Sequence, residues 1–326
     1  MIIIRFTSGL GNQMYQYNFY RLMQEKYTDT EVLADLTWFY SNNDHHGFEL
    51  DRLFSHNHDF KIQEATKSQI YKVTGQLPAL IKGRFAKQVV FLEGPINRIL
   101  RERFGTTKNV NRLDQLDGDV SNKWTYDDSG KEINPFFDAV MNLDTSKDWY
   151  ITGFFIEERF YKQRLDKTKS ELEFNDFMDD NNKKLLDEIT SSQSISIHVR
   201  RGDYLSSTYS SMFKCLGKSY YENAVNEIYK HFNNPHFYLF SDDAEYINEA
   251  FDWLENKTVV NINVGNDSYK DMQLMSSCKA NIIANSTFSQ WGALLNRNPD
   301  SMTIYPKDYL VDEDTEVKQL PNWYRI

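Results

Sequence analysis

The feature that most limits how this chain can fold is a regular alternation of short apolar runs and amphipathic stretches after residue 190. The apolar runs predict buried strands, and the stretches between them have the spacing of helices with one buried face. The strands are predicted at residues 195–199, 236–240, 259–262 and 280–284. Strands that alternate with helices favour a parallel sheet, because a parallel connection has to cross the sheet. The sequence therefore predicts an α/β fold for this part of the chain.

Helix boundaries in this part are predicted from end signals. Ser219 and Glu222 have the spacing of a capping box, which predicts a helix that begins there. Before the first strand, the Lys- and Glu-rich residues 166–190 predict one helical segment.

The N-terminal half opens with a predicted strand at residues 2–6, a glycine loop and a helix, and further strands are predicted at 31–35 and 148–155. Two glycines directly after a strand let backbone N–H groups approach a ligand closely, and the following helix N-terminus favours anions. An ordinary tight turn has the same pattern. The candidate binding residues of this loop are Gly9, Gly11, Asn12 and Gln13.

Length and charge narrow the class of protein. A chain of 326 residues exceeds the size at which one core usually keeps growing, so two domains are expected. The formal charge of −10 argues against a nucleic-acid partner, because such proteins carry broad basic surfaces.

Cysteine content and apolar patterning bear on the compartment. Only Cys215 and Cys278 are present, which is too few for a disulfide framework, and the first residues lack a secretory signal pattern. No run reaches the ~18 apolar residues of a membrane-spanning helix. We therefore expect a cytoplasmic protein with at most peripheral contact at the inner membrane face. Four histidines lack the spacing of metal ligands, so no metal is expected; they are His45, His46, His56 and His58.

Polar residues follow three of the predicted strands. Because the carboxyl ends of parallel strands meet at one sheet edge, where open α/β folds bind ligands, these residues are expected to converge. Side chains two residues apart in a strand lie on the same face, so His198 and Arg200 are expected on one face. The adjacent Arg200 and Arg201 suit the two phosphates of a diphosphate. Arg201 pairing with Asp203, and helix capping by Asp242 or Ser286, remain open as structural alternatives. The strand-end residues are Arg200, Arg201, Asp203, Ser241, Asp242, Asn285, Ser286 and Thr287.

Several of these segments resemble the bacterial α-1,2-fucosyltransferases of glycosyltransferase family 11. The resemblance rests on residues 9–14 (GLGNQM), 198–204 (HVRRGDY), 240–243 (FSDD) and 285–289 (NSTFS), with weaker similarity at 48–50, 153–155 and 321–323. The chain departs from the family pattern at four positions, which are Ile156, Ala280, Gln290 and Leu294.

The resemblance implies two Rossmann-like domains that face a cleft, the GT-B type of glycosyltransferase. An acceptor-side domain is expected at residues 1–165, a GDP-sugar domain at 166–310, and a tail at 311–326 that can pack back on the N-terminal domain. By the same resemblance, His198 would lie by the nucleotide and Arg200 would hold the β-phosphate. Asp242 and residues 285–287 would help to bind the donor, with the glycine loop across the cleft.

The implied reaction moves L-fucose with inversion from GDP-β-L-fucose to the 2-hydroxyl of a terminal galactose, without a metal cofactor. The acceptor would be a glycan of O-antigen or another surface polysaccharide, and a lipid-linked form is left open. Two alternatives remain: transfer of another GDP-sugar, and a catalytically silent nucleotide- or carbohydrate-binding protein. The base remains open: the candidates are Asp35, Asp44, His45, Glu157 and Asp203, and the departing phosphate oxygen is a further alternative.

Overall fold

A computed structural model describes residues 1–42, 46–78, 111–115, 125–126, 132–133, 135–205, 210–211, 213–307 and 319–326. The chain divides into two compact units, Met1–Glu173 and Phe174–Ile326. Among the predicted site residues, Asp44, His45 and the side chain of Asp203 lie outside the described part.

The first unit is built on a parallel sheet. Its strands are β1 (Ile2–Arg5), β2 (Val32–Asp35), β3 (Asn111–Asp114), β4 (Thr125–Tyr126), β5 (Glu132–Ile133) and β6 (Trp149–Thr152). Its helices are α1 (Leu10–Lys26), α2 (Trp38–Ser41), α3 (Leu50–Phe54), α4 (Lys67–Thr74), α5 (Pro135–Met141), α6 (Glu158–Tyr161) and α7 (Leu165–Glu171). The main sheet has the order β2-β1-β6-β3, with every pair parallel, and β4 and β5 form a separate antiparallel pair.

Aromatic packing holds α1 in the first unit. Phe19 of α1 stacks on Phe155 with ring centroids 3.8 Å apart, and Phe160 meets Phe19 edge-on at 5.2 Å. All three side chains are fully buried. Offset and edge-on ring pairs of this kind add about 0.5–1.5 kcal/mol each beyond their burial. The packing fixes the start of α1, and with it the glycine loop.

The second unit carries a larger parallel sheet. Its strands are β7 (Ser194–Val199), β8 (His236–Ser241), β9 (Lys257–Val260), β10 (Ala280–Ile282), β11 (Met302–Tyr305) and β12 (Tyr324–Arg325). Its helices are α8 (Asp180–Ser191), α9 (Lys218–His231), α10 (Ala244–Ala250), α11 (Tyr269–Ser276) and α12 (Thr287–Leu294). The six strands run parallel in the order β12-β11-β10-β7-β8-β9. The predicted α/β fold is confirmed.

Strand β7 lies in the middle of this sheet and is buried on both faces. Ile195, Ile197 and Val199 enter a core cluster that includes Val225 and Ile228 of α9. The opposite face is covered as well, which is the usual arrangement in a parallel sheet with helices on both sides.

Two details of the predicted helices are wrong. Residues 166–190 form two helices, α7 and α8, and α8 is capped by Asp179, whose side chain accepts a hydrogen bond from the Asn182 amide at 2.9 Å. The capping box at Ser219 is absent because α9 begins earlier, at Lys218, and Glu222 instead pairs with Lys218 at 3.3 Å.

The first compact unit ends at Glu173, and the second begins at Phe174. Helix α7 belongs to the first unit because Thr168 donates to Asn18 of α1 at 2.6 Å and Glu171 pairs with Arg21 at 3.1 Å. The first unit therefore extends past residue 165. Within the second unit, β12 at the end of the chain pairs with β11.

Candidate functional site

The described strand-end residues of the second unit meet at the carboxyl edge of its sheet. Strand β7 is bonded to β8 on one side and to β10 on the other, so the loops that follow these three strands are neighbours. Arg200 and Arg201 follow β7, Ser241 ends β8, and Asn285 follows β10. The predicted convergence within this unit is confirmed.

The two arginines are held by the two aspartates that follow β8. Arg200 Nη1 lies 3.1 Å from Asp242 Oδ2, and the backbone N–H of Arg201 donates to Asp242 Oδ1 at 3.0 Å. Arg201 Nε pairs with Asp243 Oδ2 at 3.2 Å. Arg200 is 22% exposed and Asp242 26%, so this ion pair contributes only about 1 kcal/mol or less to stability. Its main effect is to orient the guanidinium group.

Arg201 is packed as well as paired. Its guanidinium carbon lies 3.8 Å from the centroid of the Tyr246 ring, a close cation–π contact. Asp243 also caps α10 by accepting from the Tyr246 amide at 3.1 Å. The helix cap after β8 is thus Asp243 and not Asp242. Ser241 braces the same turn, because its hydroxyl accepts from the Asp243 amide at 3.0 Å.

Gly202 lets the β7 loop pack against the β8 loop. A Cβ atom at this position would lie 3.0 Å from Oδ2 and 3.2 Å from Cγ of Asp242. Both distances are shorter than ordinary van der Waals contact, so a larger residue would displace the carboxylate that holds Arg200. No comparable crowding constrains Gly217, which has open space around it.

His198 lies in β7, two residues before Arg200, and is only 4% exposed. Burial, with the nearby Arg200 charge as a smaller cause, lowers the pKa of His198 to about 3. The ring is therefore neutral at working pH. Among the described residues its Nδ1 has no hydrogen-bond partner, although a buried polar nitrogen normally has one. Phe288, in the first turn of α12, is the neighbouring ring, at 5.6 Å.

The third strand end leads into the N-terminus of α12. Tyr204 connects it to the β7 loop, because the Tyr204 hydroxyl donates to the Asn285 carbonyl at 2.7 Å. Asn285 in turn donates to the Lys214 carbonyl at 2.8 Å. Ser286 occupies the N-cap position of α12, but among the described residues its side chain makes no capping hydrogen bond. The helix begins at Thr287, and its N–H groups and partial positive charge form an anion-favouring end.

In the first unit, the glycine loop is braced from within. The Gln13 amide nitrogen donates to the carbonyls of Ser8 and Gly47, both at 2.8 Å, and its oxygen accepts from the Glu49 amide at 2.9 Å. Asn12 donates to the Ser8 hydroxyl at 2.8 Å. Gln13 is fully buried and engaged at both ends of its amide, so it shapes the loop.

The other residues of the loop differ in how far they are covered. Gly9 is the N-cap residue of α1 and half-buried, whereas Gly11 lies buried inside the helix.

The carboxylates suggested as bases have structural partners where they are described. Asp35 is 2% exposed and accepts from the Thr37 hydroxyl at 2.6 Å and from the Tyr150 hydroxyl at 2.6 Å. Glu157 pairs with Arg159 at 2.7 Å. Neither arrangement identifies a base.

Glu49 is a residue with unusual chemistry that the sequence did not single out as a site residue. It is 4% exposed, and burial raises its pKa to about 7, against the opposing charge of Arg52 at 2.8 Å. A signal was available, because Glu49 lies in the 48–50 segment of the weaker family similarity. Tyr204 and Tyr246 were also missed, since a tyrosine beside a motif gives no indication of what it contacts.

The described residues contain neither a metal-binding cluster nor a membrane-spanning helix. No group of three or more His, Cys, Asp or Glu side chains there is arranged to hold a metal ion. In the same part of the chain, no helix is long and apolar enough to cross a membrane.

The chain is similar in sequence to known glycosyltransferases. A family model described as glycosyl transferase family 11 matches residues 121–326. The chain is 27% identical over 331 residues to the O-antigen biosynthesis glycosyltransferase WbnK of Escherichia coli, covering 98% of each chain. It is 28% identical over 323 residues to an alpha-1,2-colitosyltransferase of Escherichia coli, covering 96% of this chain and 94% of the relative.

A solved structure supports the architecture. The crystal structure of fucosyltransferase NodZ from Bradyrhizobium covers 90% of this chain and 92% of its own, with a TM-score of 0.51 and 14% identity. At that identity the likeness concerns the fold alone. The chain has a two-domain α/β architecture of the GT-B type.

Proposed function

The chain belongs to glycosyl transferase family 11, and on that premise we propose that it transfers L-fucose from GDP-β-L-fucose to the 2-hydroxyl of a terminal galactose. The transfer inverts the anomeric centre and leaves an α-1,2 linkage and GDP. The acceptor is a glycan of O-antigen or another surface polysaccharide, in keeping with the printed role of the WbnK relative. The reaction needs no metal cofactor.

The observation that carries the proposal is the position of Arg200. It follows the central strand of the second sheet, is oriented by Asp242, and belongs to the same sheet edge as the N-terminus of α12. Ligands of open α/β sheets bind at this edge. A guanidinium group and a helix N-terminus both favour phosphate oxygens, so the edge suits the diphosphate of a nucleotide sugar.

In the proposed reaction, the bond between the fucose anomeric carbon and the β-phosphate oxygen breaks, and its electron pair leaves with GDP. The acceptor oxygen bonds to the opposite face of that carbon, and its proton passes to a phosphate oxygen of the departing GDP or to a side-chain base. Negative charge grows on the leaving phosphate, and Arg200 with the start of α12 stabilises it. Preorganised groups of this kind are effective because they need no rearrangement as the charge develops.

The remaining site residues have supporting roles in this proposal. Asp242 fixes Arg200, while Arg201 joins the β7 loop to α10 through Asp243 and Tyr246. His198 meets the nucleotide as a neutral ring, because its pKa is about 3. A neutral imidazole offers one donor and one acceptor, which suits ribose or base atoms better than a third positive charge would.

The test is a donor panel followed by linkage analysis. Purified protein is incubated with lactose and each of several GDP-sugars, and the product is examined by NMR. The proposal predicts a fucosylated product with an α-1,2 linkage to galactose. A product formed only from another donor would contradict it, and so would a different linkage.

A second candidate is transfer of colitose, a fucose-like sugar, in the same linkage. It is favoured by the 28% identity over 96% of this chain to the alpha-1,2-colitosyltransferase. The relative rates with the fucosyl and colitosyl donors at equal concentration separate the two candidates.

A further inference from the structure

A shallow cavity of about 230 Å³, open to solvent and lined in part by exposed side chains such as Glu64, lies in the first unit, where the chain leaves the carboxyl end of β2. One wall comes from the residues after β2, and the other from a segment that runs beside β2 and ends at the start of α4. The Ala65 amide donates to the Ala34 carbonyl at 2.8 Å, which fixes that segment against the strand. The lining residues are Thr37, Tyr40, Glu64, Ala65, Thr66 and Lys67.

The polar groups of the walls are held in place from behind. The Thr37 hydroxyl donates its proton to Asp35 at 2.6 Å, so it meets a ligand as an acceptor. Asp35 is itself buried and bonded to Tyr150, which makes this support rigid. The cavity thus has a preorganised inner wall.

Its outer part combines a carboxylate, a phenol and an ammonium group. The Tyr40 hydroxyl donates to Glu64 Oε1 at 2.7 Å, and burial, followed by this hydrogen bond, raises the pKa of Tyr40 to about 12. Lys67 Nζ lies 5.6 Å from the centroid of the Tyr40 ring. A carboxylate has about four lone-pair sites, of which the phenol uses one.

These groups fit a sugar better than an ion. The Glu64 carboxylate disfavours an anion and the Lys67 ammonium disfavours a cation, whereas sugar hydroxyls can donate to the first and accept from the second. An aromatic ring beside such groups gives a partly apolar surface for the face of a sugar. Cavities for drug-sized ligands measure about 300–1,000 Å³, so a volume of 230 Å³ has room for one ring.

The cavity also follows a strand next to the one that carries the glycine loop. Strands β1 and β2 are parallel neighbours, and Gly9 and Thr37 both come after their carboxyl ends. Within this unit, the cavity therefore belongs to the sheet edge at which α/β folds bind ligands.

We propose that this cavity is a subsite for one neutral sugar ring of the acceptor glycan, recognised by Tyr40, Glu64 and Lys67. The assignment of that sugar to the acceptor rests on the proposed function. The subsite helps to determine which acceptors the enzyme uses.

The first test compares acceptor kinetics of Glu64→Gln and Tyr40→Phe with those of the wild type. Each change keeps the side-chain shape and removes a charge or a hydroxyl. The acceptor KM should rise about tenfold in Glu64→Gln, as expected for a lost hydrogen bond to a charged group, with donor KM and GDP affinity unchanged. Glu188→Gln, at an exposed carboxylate of α8, is the matched control and should change none of these values. An unchanged acceptor KM in both cavity variants would overturn the proposal.

A binding test separates failure of the subsite from failure of the proposed function. Saturation-transfer NMR with free galactose and N-acetylglucosamine is applied to the wild type, Glu64→Gln and the control, without any donor. Signal in the wild type that is lost only in Glu64→Gln supports the subsite even if no transfer is found. Absence of signal for every sugar overturns it.

Discussion

Replacing Arg200 by alanine should nearly abolish transfer while the fold is kept. Arg200 is the arginine that we assign to the leaving phosphate, and loss of one such preorganised donor typically costs about 100- to 1,000-fold in kcat, or roughly 3–4 kcal/mol of transition-state stabilisation. The structural loss is small, because the Arg200–Asp242 pair is about a quarter exposed and contributes about 1 kcal/mol or less. Rate and stability should therefore separate clearly in this variant.

Arg201→Ala is the matched comparison. It removes a guanidinium group that packs on Tyr246 at 3.8 Å and pairs with Asp243 at 3.2 Å. We expect a loss of about 1–2 kcal/mol in the free energy of unfolding, from the cation–π contact and the ion pair together. The fall in kcat should be about tenfold, because Arg201 affects the reaction by positioning the loop that follows β7.

The assay measures single-turnover transfer and thermal unfolding on the same preparations. Single-turnover rates separate the chemical step from product release. For a domain of this size, 1 kcal/mol corresponds to a shift of about 2–4 °C in Tm. Equal rate losses in Arg200→Ala and Arg201→Ala would refute the division of roles, and normal turnover in Arg200→Ala would refute the site itself.

Three further predictions concern Gly202, Glu49 and His198. Gly202→Ala should reduce donor affinity by about tenfold, because its new Cβ would lie 3.0 Å from Asp242 Oδ2 and displace that carboxylate. Isothermal titration with GDP measures the affinity. Gly217→Ala, whose Cβ would have no described atom within 4 Å, is the control. Glu49→Gln should stabilise the protein at pH 8 by up to about 3 kcal/mol. The folded pKa of Glu49, near 7, lies above the unfolded value, so the wild-type protein loses stability as pH rises from about 4.5 through 7. Denaturant unfolding at pH 5 and pH 8 tests this, and equal stabilisation at both values would contradict it. His198→Gln should make the loss of stability less steep as pH falls below 6.5. The folded pKa of His198, near 3, lies below the unfolded value, so protons bind the unfolded chain preferentially. An unchanged slope of unfolding free energy against pH would count against this prediction.

The second sheet was largely predictable from the sequence. Alternating and continuous apolar runs gave β7, β8, β9 and β10 within a few residues, because a buried strand leaves a hydrophobic pattern that neighbouring turns interrupt. β11 and β12 were not predicted. β12 has only two residues, and its pairing depends on β11 and not on any pattern of its own.

The helix boundaries show where local signals fail. Ser219 and Glu222 have capping-box spacing, yet α9 begins at Lys218. Capping propensity contributes about 1 kcal/mol, which the burial of Tyr220 and Tyr221 can outweigh. The break between α7 and α8 likewise reflects tertiary contacts, because Arg21 and Asn18 draw α7 toward α1.

Residue types at the candidate site were predictable, but their partners were not. The sequence left a pair between Arg201 and Asp203 open as an alternative. The structure shows Arg201 paired with Asp243, on a different strand end, while the side chain of Asp203 lies outside the described residues. The contact depends on the spacing of β7 and β8 in the sheet, which a sequence motif does not encode. The same holds for Tyr204, whose bond to the Asn285 carbonyl links residues 81 positions apart.

The most direct measurement of the central claim is GDP release from GDP-L-fucose with and without lactose, in the presence of EDTA. GDP release should depend on lactose, persist in EDTA, and fall by at least about 100-fold in Arg200→Ala. GDP-fucose that stays intact with every galactose-terminated acceptor, while GDP still binds, would contradict the account.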